Sequence, residues 1–102
     1  MIRTTTPTHT FTLPFDPAEA DELWITYAQN KWIQLEKKLP DLTIDSVNNT
    51  VSFMMTQQES ALFNSNTPVK VQIKVRQGDV VMASDIYKLR VEDVLNANFM
   101  GV

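Results

Sequence analysis

Val69-Lys70-Val71-Gln72-Ile73-Lys74-Val75-Arg76 alternates apolar and polar residues through eight positions without an exception. A period of two sets Val69, Val71, Ile73 and Val75 on one face of a strand and Lys70, Gln72, Lys74 and Arg76 on the other. Its inward residues are all β-branched, which suits a pleated, half-buried surface. The stretch reads as an antiparallel strand with one wet face, and the rest of the chain as material packed on its dry one.

Outward from this strand the pattern stays β. Gln77-Gly78-Asp79 is a short turn, and Val80-Val81-Met82-Ala83 pairs back. If Val81 and Ala83 face inward, Asp85 follows them, yet Tyr87, Leu89 and Val91 are core-like. An irregularity near Ser84-Asp85 restores the phase, as a β-bulge or sheet-crossing kink does. Val91, Val94 and Leu95 then stand at i, i+3 and i+4, the spacing of a closing helical turn.

Upstream, Thr8 to Pro14 puts His9, Phe11, Leu13 and Phe15 on one side and threonines on the other. Pro14 confines this strand to an edge or ends it. Asp16 is a fair N-cap, with Pro17 suited to the first helical position. Leu23–Gln29 and Trp32–Lys38 read as a hairpin turning at Asn30-Lys31, with Ile33 and Leu35 inward. A helical period also fits 18–38, since Trp24, Tyr27, Ala28 and Trp32 recur near 3.6 and no glycine intervenes; the Trp, Ile, Thr and Tyr content favours the hairpin. Leu42-Thr43-Ile44 is a short strand, Asp45 to Asn49 a turn, and Thr50 to Thr56 a strand with Val51, Phe53 and Met55 inward. Thr56-Gln57-Gln58-Glu59 has the form of a capping box, which opens a helical turn over 57–62.

The 102 residues suffice for one domain with one core. The expected fold is all-β: an immunoglobulin-like antiparallel β-sandwich of six to eight strands with one or two short helical turns. A small barrel is the runner-up. The chain has no cysteine, which excludes disulfides and thiolate metal sites, and its two glycines, Gly78 and Gly101, cannot build a phosphate-cradling loop. A net charge of −3 speaks against general nucleic-acid binding. No apolar run has the length of a membrane helix, and residues 1–10 lack the apolar segment of a secretory signal.

The candidate sites are few. His9, the single histidine, reads as a strand residue rather than a base or a ligand. Asp16, Glu19, Asp21 and Glu22 read as a solvated acidic turn, since the spacing is not that of a calcium loop. Asn48-Asn49-Thr50 has the form of a glycosylation acceptor but is better explained as hairpin-turn chemistry. Trp24 and Trp32 are a candidate aromatic contact for sugar. Lys70, Lys74, Arg76, Lys88 and Arg90 hold five of the nine basic residues and form a candidate partner-binding face if their strands share a sheet. Lysine also protects exposed strands from unwanted pairing, which competes with docking of an acidic partner as the explanation. The apolar tail Asn98-Phe99-Met100-Gly101-Val102 is either free or seated on a neighbouring subunit.

Thr6-Pro7-Thr8-His9-Thr10-Phe11-Thr12-Leu13-Pro14-Phe15-Asp16 resembles the start of small proteins encoded in prophages of Gram-positive gut bacteria. The 69–76 strand, Gly78 and Ala83-Ser84-Asp85-Ile86 are similar to their second half. These look related to the immunoglobulin-like N-terminal domain of phage baseplate upper proteins. The tryptophan-containing 17–38 segment and Met54-Met55 depart from that pattern. The resemblance implies a non-enzymatic, baseplate- or tail-associated structural or adaptor module working by protein–protein contact. It implies no cofactor. The expected partners are other phage structural proteins or a second copy of the chain, not nucleic acid or membrane, in the virion or in the host cytoplasm during assembly. A carbohydrate-binding sandwich using Trp24 and Trp32 is the alternative.

Overall fold

The computed structural model describes residues 1–101; the last residue of the apolar tail, Val102, lies outside them. Eight strands form two antiparallel sheets. They are β1 (Thr8–Thr12), β2 (Glu22–Gln29), β3 (Trp32–Lys38), β4 (Thr43–Asp45), β5 (Thr50–Met54), β6 (Val69–Gln77), β7 (Val80–Ala83) and β8 (Tyr87–Leu89). The smaller sheet has the order β1-β5-β4. The larger has β3-β2-β6-β7, with β8 pairing further along the same edge of β6. The chain crosses between sheets after β1, β3 and β5 and makes hairpins at β2–β3, β4–β5 and β6–β7. Three strands in B-E-D order facing four in C′-C-F-G order is an immunoglobulin-like connectivity.

The alternation of β6 is realised as read: Val69, Val71, Ile73 and Val75 are all buried. They meet Leu23, Ile25 and Tyr27 of β2 along the sheet, and Val51 and Phe53 of β5 with Met55 and Phe63 belong to the same core. Each such side chain contributes about 1.5–3 kcal/mol when fully buried.

Local chemistry explains the turns. Asn30 and Lys31 both take positive φ, 50° and 74°, the signature of a two-residue type I′ hairpin. This settles 18–38 as a hairpin preceded by a 3₁₀ turn at Pro17–Glu19, where the Asp16 carboxylate accepts the Ala18 N–H at 2.9 Å. Gly78 at φ 58° turns β6 into β7. Helix α1 (Gln57–Ser60) opens with the reciprocal bonds of the capping box, Glu59 N–H to Thr56 Oγ1 and Thr56 N–H to Glu59 Oε1.

Four expectations are corrected. Ile33 is 64% exposed rather than inward, because the β2–β3 register shifts between Tyr27 and Ala28. Leu35 stays opposite Tyr27, Ile33 stands opposite Ala28, and Gln34 is the extra residue that flips the face. Val81 and Ala83 face outward, opposite Arg76 and Lys74, while Val80 and Met82 take the inner side. Tyr87 is half exposed, its ring covered on one side by Phe11 of β1 and open on the other. Val91 is buried, but Val94 and Leu95 form no helical turn and Leu95 is fully exposed. Instead, Met1 to Arg3 run parallel to Arg90 to Glu92, with Arg3 N–H to Glu92 O at 3.0 Å and Glu92 N–H to Met1 O at 2.7 Å.

The expected irregularity falls at Ser84. Its N–H donates to Ile73 O while its Oγ accepts the Ile73 N–H, closing the ladder with a side chain before the strand breaks away. The tail lies against the body: the Gln57 amide both donates to Met100 O and accepts Met100 N–H.

Candidate partner-binding face

Partners in an antiparallel pair share a face, so the registers define the outer surface of the larger sheet. One row across it reads Lys38, Trp24, Lys74, Ala83; another reads Ile33, Ala28, Lys70, Lys88. Between them lie Glu36, Thr26 and Gln72, and at one end Glu22, Arg76 and Val81. β6 and β8 therefore share a sheet, the condition on which the basic face depended.

The five basic residues separate into three kinds. Lys70 and Lys88 stand directly opposite each other, and Lys74 lies on the same face four residues along β6 from Lys70. Arg76 shares the face but is neutralised: its guanidinium is 3.2 Å from the Glu22 carboxylate and 3.8 Å from that of Asp21. Arg90 follows β8 and lines, with Lys88, a cleft of about 450 Å³ beside the Asn66–Pro68 loop. Among the described residues no ion pair involves Lys38, Lys70, Lys74 or Lys88.

The acidic stretch is accounted for by the same bonds. Asp16 caps a turn, Glu22 holds Arg76, and Asp21 accepts the Gly78 N–H at 2.7 Å, so three of its four carboxylates have structural partners. Asn48 is likewise a turn residue, donating to the Asp45 carboxylate; that bond and the Asn48 and Val47 N–H groups hold Asp45 below its ordinary value.

Lys38 is the addition that sequence reading missed, and it stands beside Trp24 rather than Trp24 beside Trp32. The ammonium groups of Lys38 and Lys74 each lie 5.8 Å from the centre of the Trp24 ring. Such contacts are worth about 0.5–1 kcal/mol each at exposed sites and hold the ring upright between two charges. A shallow cleft flanks it on either side, one of about 220 Å³ bounded by Lys74, Arg76 and Val81, the other of about 390 Å³ bounded by Lys38, Leu39 and Pro40. The signal for this grouping was the β2–β3 register, which a one-residue bulge hides from pattern reading.

Trp24 and Trp32 do not form one platform. Trp32 pairs with Gln29 at the hairpin tip, on the inner side and five residues along β2 from Trp24. It is 73% exposed, whereas Trp24 is half-buried.

His9 sits where a structural residue is expected. Its Nδ1 lies 2.6 Å from the Tyr27 hydroxyl, its ring stacks on Tyr27 at 5.7 Å, and Phe11 and Phe53 meet it edge-on. Burial, with the N-terminal ammonium adding to it, lowers its pKa below the ordinary 6.5. Burial, with Glu59 nearby, raises that of the Tyr27 phenol. Among the described residues no three histidine, aspartate or glutamate side chains converge as metal ligands would, and no helix is long and apolar enough to cross a membrane. Comparison with protein-family models, curated proteins and solved structures finds no match for the chain.

Proposed function

We propose that this chain is a non-enzymatic structural or adaptor module of a phage or prophage, associated with the baseplate or tail, that works by protein–protein contact. The surface it uses is the outer face of the larger sheet, and the partner presents acidic side chains there. The observation that carries this contact is Lys70 directly opposite Lys88, with Lys74 and Lys38 beyond them and, among the described residues, no acid paired to any of the four. Like charges directly opposite on adjacent strands are destabilising, and an approaching carboxylate relieves that cost. The same charges speed encounter with an acidic surface, and Trp24 between its clefts supplies an apolar anchor of the kind that dominates contact energies. The phage setting rests on the resemblance of residues 6–16, 69–76, Gly78 and 83–86 to small prophage proteins.

Two measurements test the reading. In fractions of induced phage particles the protein is expected in virions or assembly intermediates; its absence from both overturns the phage assignment. Capture of phage structural proteins by the purified chain is expected to weaken at least tenfold in Lys70→Glu/Lys74→Glu/Lys88→Glu, whose sites are exposed. Undiminished capture by a folded triple variant excludes this face.

A further inference from the structure

The four sheet edges are not alike. β3 carries Glu36, Lys37 and Lys38 and a bulge; β1 is followed two residues on by Pro14; β4 is three residues long. Charges, bulges, proline and shortness are the devices by which edge strands avoid pairing with other chains. β8 carries Lys88. β7, though only four residues long, has no charge, bulge or proline: Val80, Val81, Met82 and Ala83 are all apolar and all exposed, on both faces of the strand. Its backbone is also available. Ser84 N–H bonds to Ile73 O, and the alternation of an antiparallel ladder then turns the N–H and C=O of Val81 and Ala83 away from β6.

We propose that β7 is a self-association edge, where a second copy of this chain adds its own β7 antiparallel and joins the two larger sheets into one. Charge selects the copy and the register. With Val81 opposite itself, Val80 faces Met82 and Asp79 of the second copy faces Ala83. Lys74 is the neighbour of Ala83 on the other side, so it lies about 10 Å from that aspartate across a small residue, two strand spacings away and within reach of a lysine side chain. Shifting the register by one pair toward Asp85 sets Asp79 against Asp85 of the second copy, a repulsive contact, and shifting it the other way takes Asp79 from Lys74 to Arg76, whose charge Glu22 and Asp21 already neutralise. The symmetric register thus creates two Lys74–Asp79 attractions around an apolar centre, and no like charges meet. Two four-residue strands meeting edge to edge bury well under the roughly 1,000 Å² of a stable interface, so the association is weak and concentration-dependent, gaining strength when copies are held together in a larger assembly.

This inference does not depend on the basic face being a docking surface. Sedimentation velocity of the full chain over a concentration range reaching about 1 mM is expected to show a monomer–dimer equilibrium. Val81→Lys, at an exposed position that leaves the fold intact by circular dichroism, sets two lysines against each other and raises the dissociation constant at least tenfold. Asp79→Lys weakens the dimer, and Lys74→Asp/Asp79→Lys restores it by exchanging the charges. A chain monomeric throughout that range, or a dimer indifferent to Val81→Lys, overturns the proposal; a dimer that Asp79→Lys weakens and the exchange does not restore overturns the register.

Discussion

Lys31 has a side chain where the backbone asks for none. At φ 74° it occupies the left-handed region that costs a non-glycine residue about 1–2 kcal/mol, whereas Asn30 beside it tolerates that conformation better. Lys31→Gly is expected to stabilise the fold by about 1 kcal/mol in urea denaturation, the gain from relieved strain being cut by glycine's greater unfolded-state entropy. His9 sets a different dependence. Because its folded pKa lies below 6.5, the unfolded chain takes up the proton first as pH falls, and stability declines from pH 6.5 down to the folded value and then levels. Glu59 adds a second step. Burial raises its pKa, but the hydrogen bond and charge of Lys37 and the bonds with Thr56 outweigh this and leave it lowered. Its contribution is therefore present above the ordinary 4.5 and lost as pH falls through the folded value. Urea midpoints between pH 8 and 3 are expected to show both declines, and His9→Phe to remove the upper one alone.

At the scale of single elements, α1 depends on the residue that caps it. Its four residues are too few to hold a helix by propensity, so Thr56→Ala, which removes the Oγ1 acceptor of the Glu59 N–H, is expected to cost about 1 kcal/mol in the same assay. The cap, the β6 alternation and the Gly78 turn were legible because each is written in neighbouring residues. Ile33 was not, since only the pairing of β3 against β2 reveals that Gln34 is an extra residue. Val80 and Val81 are equivalent to any pattern rule, and the two-residue turn at Gly78-Asp79 alone decides which faces inward. Val94 and Leu95 carry helical spacing over too few residues to outweigh the pairing of Met1–Arg3 with Arg90–Glu92. The site divided the same way: Lys70 and Lys88 follow from alternation within each strand, but Lys38 joins Trp24 only through the register.

The whole molecule is closed by its two terminal segments. Glu92 N–H meets Met1 O and Arg3 N–H meets Glu92 O, and Arg3 Nη2 donates to Ala61 O at 3.1 Å, so positions some ninety residues apart lock the sandwich. Glu92→Pro deletes the first donor and leaves a carbonyl without its partner; a loss of about 1–3 kcal/mol is expected, with faster hydrogen exchange at Arg3 as the local readout. The two sheets are unequal in width, three strands against an outer edge that continues through β7 and β8, which is why the inner side chains of β7 remain in solvent beside a well-filled centre.

The placement of the two tryptophans also gives the molecule a built-in optical reporter. Trp32 stands in water at the hairpin tip and emits as a solvated indole, insensitive to events across the sheet. Trp24, caged by two ammonium groups, feels any change in the charge above it. Replacing Trp32 by phenylalanine leaves a single tryptophan, at the centre of the basic face, so arrival of an anionic partner is readable as a change in tryptophan emission without any attached dye.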